Sequence, residues 1–308
     1  MSARVINAAD VAAPFRAETR EQVAALGREL RLVGLLSQSE GPAHTYAQYA
    51  RGGAEDVGVT MDLWQLERDA VGAAIREANA DPSVDGIFLY YPLVDPVEDR
   101  WVRELVDPRK DVEGMHSFWS RLLYENRRYV DDAGSLRAIL PCTPLGILKL
   151  LEAAGLSTLG RGELAPLEGV LACVINRSEI VGRPLSAMLA NDGATVVSLD
   201  LTGAVVFEPA IGRHAHTVRD SNRDRATALR EADVVITGVP SREFPLVTAD
   251  EIKPGAICVN FSEFRNFDDS VLEVASAFVP RVGPMTVAMA TRNLVRLSAL
   301  RPTSRRAG

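Results

Sequence analysis

The sequence predicts an α/β protein of two domains, and three observations carry that expectation. Short apolar runs alternate with helical patterns along most of its 308 residues, the order that builds parallel sheets. The segment Cys173–Asp200 reads as strand, tight turn, helix and second strand. The prolines of Pro141-Cys142-Thr143-Pro144 break the chain sharply between the two halves.

Taken in order, Leu30–Leu36 is apolar and strand-like, and Ala43–Asp56 is helical. Val59–Trp64 reads as a strand, Leu66–Asn79 as an amphipathic helix and Gly86–Tyr91 as a buried strand. Leu145–Gly155 reads as a helix bridging to the second half. There Val170–Ile175 is a short apolar run, as a strand covered on both faces should be. Asn176, Ser178 and Gly182 occupy the following turn, and Pro184 sits in the first turn of a helix, where its missing N–H costs nothing. A helix start of this kind offers N–H groups to a pyrophosphate. Asp200 lies 18 residues past Gly182 (200 − 182), near the offset where a carboxylate meets the ribose hydroxyls of a dinucleotide. The glycine pattern alone also fits a βαβ unit that binds nothing. Thr202–Arg225, polar and carrying Arg213, Arg219 and Arg223, reads as an irregular surface insertion. Ala232–Val239 and Ala256–Phe261 continue the second α/β unit to about Val279. A last helix, Thr286–Leu297, is expected to pack back on the first domain. Ligands are expected in a cleft between the two domains.

Composition narrows the class. Apolar residues make up 47% and charged residues 24%, the profile of a globular protein. The net charge of −7 argues against nucleic acid or an anionic membrane surface as partner. Cys142, Cys173 and Cys258 are odd in number and far apart, which fits reduced thiols in a cytoplasmic protein and supplies no metal-ligand spacing. No long apolar span and no signal-peptide pattern is present.

Six segments together resemble the methylenetetrahydrofolate dehydrogenase/cyclohydrolase family. They are KDVEG (Lys110–Gly114), PCTPLGILKLLE (Pro141–Glu152), INRSEIVGRPLS (Ile175–Ser186), ADVVITGVP (Ala232–Pro240), IKPGAICVNF (Ile252–Phe261) and VGPMTVAM (Val282–Met289). They occur in the family's order along nearly the whole chain, and the wording is most like that of monofunctional NAD-dependent members. The resemblance implies an N-terminal folate-binding domain (1–148 plus 285–308) and a Rossmann-type NAD-binding domain (149–284). It also implies a homodimer, and hydride transfer from the bridging methylene of the folate to a nicotinamide. That step needs alignment but no proton transfer. The cyclohydrolase step moves a proton and needs a general acid or base.

In the family that group is a Lys four residues after a Tyr. Here Tyr46 matches the Tyr and Ala50 stands at the Lys position. Tyr90 replaces the Gln that supports the Lys, and Glu113 replaces the pterin-contacting Asp. No Lys occurs between Met1 and Lys110. The expectation is therefore a dehydrogenase without cyclohydrolase activity. Tyr46, Glu113 and Cys142 are the expected catalytic positions. Tyr46, Tyr90, Pro92, Asp111, Glu113, Gly283 and Pro284 are expected to line the substrate. Read without the family, Tyr46 and Cys142 would be core packing, Glu113 a solvated loop acid and Asp111 a structural acceptor.

At the cofactor end the resemblance carries over Asn176, Arg177, Ser178, Ile180, Val181, Asp200, Leu201, Thr237, Gly238, Val239, Pro240, Asn260, Gly283 and Thr286. Asn176 replaces a glycine and tolerates left-handed backbone. NADP-using relatives hold the 2′-phosphate with polar residues at positions 200 and 201. A carboxylate about 4 Å from a phosphate charge costs roughly 1 to 4 kcal/mol, so Asp200 points to NAD. Arg177 could pair with a 2′-phosphate, with Asp200, or stack on adenine. Two other readings are a bifunctional NADP enzyme, which lacks a proton-handling group here, and a binding protein without catalysis.

Overall fold

The computed structural model describes residues 2–156, 165–210 and 215–300. The chain runs β1 (Arg4–Val5), α1 (Ala8–Ala25), β2 (Leu30–Leu36), α2 (Pro42–Glu55), β3 (Val59–Gln65), α3 (Val71–Ala80) and β4 (Gly86–Tyr90). It continues with α4 (Asp99–Val102), α5 (Ser117–Tyr124), α6 (Cys142–Ala153), β5 (Leu171–Ile175), α7 (Gly182–Asn191), β6 (Thr195–Asp200) and β7 (Gly203–Pro209). The remainder is β8 (His216–Ser221), α8 (Arg225–Glu231), β9 (Val234–Thr237), β10 (Ile257–Asn260), α9 (Val271–Val274), β11 (Ala277–Val279) and α10 (Gly283–Ala299).

Two compact units result. One comprises residues 13–122, 128–142 and 287–308, and the other residues 1–12, 123–127 and 143–286. In the first unit a three-stranded parallel sheet has the order β3-β2-β4. The central strand β2 is buried along almost its whole length, as a strand covered on both faces must be. The later part of α10 packs here: a Cβ on Gly86 of β4 would stand 2.6 Å from both Leu294 and Val112. A methyl there would make those side chains shift, and the contact seats the last helix on the sheet as the sequence pattern expects.

The second unit holds an eight-stranded sheet, β1-β11-β10-β9-β5-β6-β7-β8, parallel as far as β6 and antiparallel beyond. Here the structure corrects the sequence reading. The stretch expected to be irregular folds as strands β7 and β8 and then enters α8. Leu201 and Thr202 form a two-residue turn, and Gly203 behind them takes φ +107°, a left-handed value suited to glycine. The apolar run Ala204–Phe207 continues the sheet and buries Val206 and Phe207. Arg219 pairs with Glu208 (2.8 Å) and Arg223 with Glu231 (2.6 Å), while Arg213 lies outside the described residues. Residues 1–12 also belong to this unit rather than to the first, because β1 pairs with β11 through Arg4↔Ala277 and Val5↔Phe278.

Candidate functional site

In the first unit the chain reverses direction across the sheet between β2 and β4, and the carboxyl ends of such neighbours open a crevice. Tyr90 closes β4 there. Its ring stacks on Phe88 (4.7 Å between centroids) and meets the Tyr46 ring edge-on at 6.0 Å. Gly34 on β2 makes room for it, since a Cβ there would approach the Tyr90 ring to 2.9 Å. The Tyr90 hydroxyl is buried without a hydrogen-bond partner among the described residues. Burial, and the nearness of Tyr46 and Glu113, push this phenol far above its ordinary range.

Glu113 sits beside it. Its Oε2 accepts the Leu89 N–H at 2.9 Å, and burial, reinforced by Asp111, raises its pKa well above 4.5. Asp111 accepts the N–H groups of Glu113 (3.1 Å), Gly114 (3.0 Å) and His116 (2.8 Å). Burial raises Asp111 to about 6 against the pull of those bonds. Its oxygens thus brace the turn that presents Glu113. This is the structural role that the residues alone left open.

Cys142 is placed differently from a catalytic thiol. Its Sγ donates to the Val112 carbonyl at 3.0 Å, Asn293 Nδ2 donates to it at 3.5 Å, and burial drives the thiol well above its usual range. Such a group is a neutral anchor. Pro92 is exposed and follows Tyr91 through a cis peptide bond. Ala50 lies one turn beyond Tyr46 on α2 and is buried. Lys110 offers no substitute base. Its ammonium donates to the carbonyls of Ala78 (2.8 Å), Asn79 (2.8 Å) and Asp81 (2.7 Å), capping the end of α3.

In the second unit the corresponding reversal falls between β5 and β9. Asn176 leaves β5 with φ +85° and donates its side-chain N–H to the Gly238 carbonyl at 2.5 Å, tying the two strand ends together. Gly182 and Gly238 are obligatory: a Cβ on either would stand 1.8 Å from the Asn176 carbonyl or the Phe261 ring, respectively. The start of α7 differs from the expectation of unengaged N–H groups. Ser178 Oγ accepts from Val181 (3.2 Å) and Gly182 (3.3 Å), and its carbonyl accepts from Arg183 (2.9 Å). A serine before a helix takes up those donors for the reason that makes it a good cap. Ile180 and Val181 are half-buried beside it.

Asp200 ends β6. It accepts the backbone N–H of Arg177 on Oδ2 and of Leu201 on Oδ1, both at 2.6 Å. Each oxygen retains a further lone pair for a hydroxyl. The Arg177 guanidinium binds the Ser198 carbonyl (2.9 Å), the Gly203 carbonyl (3.2 Å) and the Thr202 hydroxyl (2.9 Å). Of the partners open to this residue in the sequence, Asp200 is met through the backbone N–H and not through the guanidinium. Leu201 is fully exposed. At the end of β9 the Thr237 hydroxyl is buried and without a partner among the described residues, and Val239 and Pro240 follow. Asn260 is turned inward: its carboxamide donates to the Phe264 carbonyl (3.0 Å) and accepts from Ser262 (3.2 Å), so it shapes a loop. Gly283 and Pro284 open α10, and the Thr286 hydroxyl meets that of Thr143 at 3.1 Å. Among the described residues no cluster of His, Cys, Asp or Glu could hold a metal, and no helix is long and apolar enough to cross a membrane.

Residues 6–113 match the profile described as tetrahydrofolate dehydrogenase/cyclohydrolase, catalytic domain, and residues 141–206 match that family's NAD(P)-binding domain. The chain belongs to the tetrahydrofolate dehydrogenase/cyclohydrolase family. It is 40% identical over 306 residues to the Saccharomyces cerevisiae protein named methylenetetrahydrofolate dehydrogenase [NAD(+)], covering 96% of this chain and 95% of that one. A relative of the same name from Schizosaccharomyces pombe is 38% identical, covering 97% and 94%. The solved structure of the Saccharomyces cerevisiae NAD-dependent 5,10-methylenetetrahydrofolate dehydrogenase superposes with a TM-score of 0.90 at 39% identity. It covers 97% of this chain and 98% of its own. Tyr46, Tyr90, Asp111 and Glu113 lie within the span that matches the family's catalytic domain, and Asn176 through Leu201 within the span that matches its NAD(P)-binding domain.

Two residues that organise this family member's site, Asn266 and Asn293, are invisible to motif reading. Asn266 is fully buried and clamps Val239, its Oδ1 accepting the Val239 N–H (2.7 Å) and its Nδ2 donating to the Val239 carbonyl (3.1 Å). Asn293, on α10, donates to the carbonyls of Val112 (2.9 Å) and Leu140 (3.0 Å) behind Glu113 and Cys142. Phe261, which ends the IKPGAICVNF segment, covers Gly238. In the sequence Asn266 and Asn293 are ordinary polar residues in a loop and a helix, and no spacing rule singles them out.

Proposed function

We infer that this chain is an NAD-dependent methylenetetrahydrofolate dehydrogenase that lacks cyclohydrolase activity. The observation that carries this reading is a contrast between the family's two sets of positions. Groups fit to hold a dinucleotide persist, while the proton-handling position is the buried methyl of Ala50. The fit to NAD rests on Asp200, whose oxygens keep lone pairs for ribose hydroxyls, and on the orphaned hydroxyl of Thr237 at the β5–β9 reversal. Bound there, NAD supplies the hydride acceptor at nicotinamide C4.

Within the first unit Tyr46 would bound one face of the pterin, and Glu113 would hydrogen-bond its amino and ring N–H groups. A nitrogen lone pair of the folate expels hydride from the bridging methylene, leaving a resonance-stabilised methenyl cation, and no proton changes hands. A buried carboxyl beside the pterin tolerates that positive charge better than an ammonium would. Hydrolysis would require water attack with proton transfer. The chain has Lys only at positions 110, 149 and 253. Lys110 is bound to carbonyls, Lys149 to Glu152 (2.8 Å) and Lys253 to Asp233 (2.5 Å).

With methylenetetrahydrofolate, purified protein should reduce NAD faster than NADP and accumulate the methenyl product. Methenyl loss above the uncatalysed rate would contradict the missing hydrolase. We also read the chain as a cytoplasmic homodimer. Cell fractionation tests the location.

A further inference from the structure

A guanidinium within reach of an adenosine ribose is the usual means of accepting a 2′-phosphate. Arg177 stands at that place, in the turn between β5 and α7, and its own backbone N–H is bonded to Asp200 at 2.6 Å. Yet its side chain is bound to three acceptors, all contributed by β6 and the hairpin that follows it. The Thr202 hydroxyl lies 2.9 Å from one terminal nitrogen, and the Ser198 and Gly203 carbonyls lie 2.9 and 3.2 Å from the other. Two of the acceptors are main-chain atoms fixed by strand pairing, since Ser198 opposes Val205, and Gly203 opposes Asp200. Thr202 supplies the remaining one from the exposed tip of the turn.

We propose that Thr202 is a specificity-determining residue: with the Ser198 and Gly203 carbonyls it holds the Arg177 side chain on the hairpin, withholding it from a 2′-phosphate. NADP then meets the Asp200 carboxylate without a compensating cation, and NAD, which needs none, is unaffected. The inference rests on reading Asp200 as the ribose-facing residue. It adds that NAD preference is a property of two positions acting together. Thr202 acts through Arg177 and is a positioning residue.

The test compares initial rates with NAD and NADP in the full-length protein. Thr202→Val keeps the branched shape and removes the hydroxyl. It should lower the KM for NADP about three- to tenfold, the scale of one ordinary hydrogen bond, with kcat for NAD unchanged. Thr202→Ser, which keeps the hydroxyl, should retain the original preference. Adding Arg177→Gln to Thr202→Val should abolish the gain. Asp200→Ser serves as the reference. If it raises NADP use while Thr202→Val leaves the ratio unchanged, the proposal fails and the reading of Asp200 stands. If neither changes the ratio, both fail. A gain in Thr202→Val that survives Arg177→Gln would also overturn the proposal, because the effect would not pass through Arg177.

Discussion

With its carboxyl buried and close to Asp111, Glu113 binds its proton more tightly in the folded protein than in the unfolded chain, against the pull of the Leu89 N–H at 2.9 Å. The sign of the consequence follows from linkage. A carboxyl whose folded pKa is raised contributes stability that is full below its ordinary value of 4.5 and is lost as pH rises through the folded value. Glu113→Gln cannot ionise, so the melting temperature of the parent protein should fall relative to that of the variant as pH rises from about 5 to about 8. Asp111, raised to about 6, acts with the same sign in both proteins and largely cancels. Parallel melting curves across that range would show that Glu113 ionises normally. Asp200 makes its prediction through cofactor choice. Asp200→Ser should raise NADP use relative to NAD by roughly one to three orders of magnitude, the value of removing a charge about 4 Å from a phosphate. An unchanged ratio would remove Asp200 from the ribose site.

At the scale of elements, the β5–α7 turn is fixed by sterics more than by polar contacts. A methyl on Gly182 would stand 1.8 Å from a backbone carbonyl, and backbone cannot step aside as a flexible side chain can. Gly182→Ala should lower unfolding stability by about 3 kcal/mol and raise the KM for NAD, measured by urea titration and initial rates. Normal stability with a normal KM would mean that the turn tolerates opening. This turn and its glycines were legible in the sequence because each demand is local: a tight bend, a serine cap, a proline in the first helical turn. Strands β7 and β8 were not. The polar residues of β8 and the proline that ends β7 make the stretch as a whole resemble a loop, and only the pairing of β7 with β6 and of β8 with β7 satisfies their backbone groups. The two-residue turn at Leu201-Thr202 and the left-handed Gly203 were the available signal.

For the molecule as a whole, the outer strand β8 leaves one edge of the eight-stranded sheet unpaired among the described residues, with Val218 51% exposed. Such an edge is a natural place for a second chain to add. Light scattering should find twice the 33.3 kDa chain mass, and a stable monomer at micromolar concentration would count against the homodimer. Periodicity and turn chemistry, which are local, were enough to expect two α/β domains, a last helix returning to the first and a dinucleotide turn ending in Asp200. The family wording added Tyr46, Ala50, Tyr90 and Glu113 as one set. What the tertiary structure decided is how those groups are held. It bonded Arg177 to the hairpin, braced the Glu113 turn with Asp111, anchored Cys142 beneath Asn293 and drew residues 1–12 into the larger sheet. Each of these joins residues that are, with one exception, more than twenty positions apart, and their energies depend on burial and hydrogen-bond geometry that no local pattern encodes.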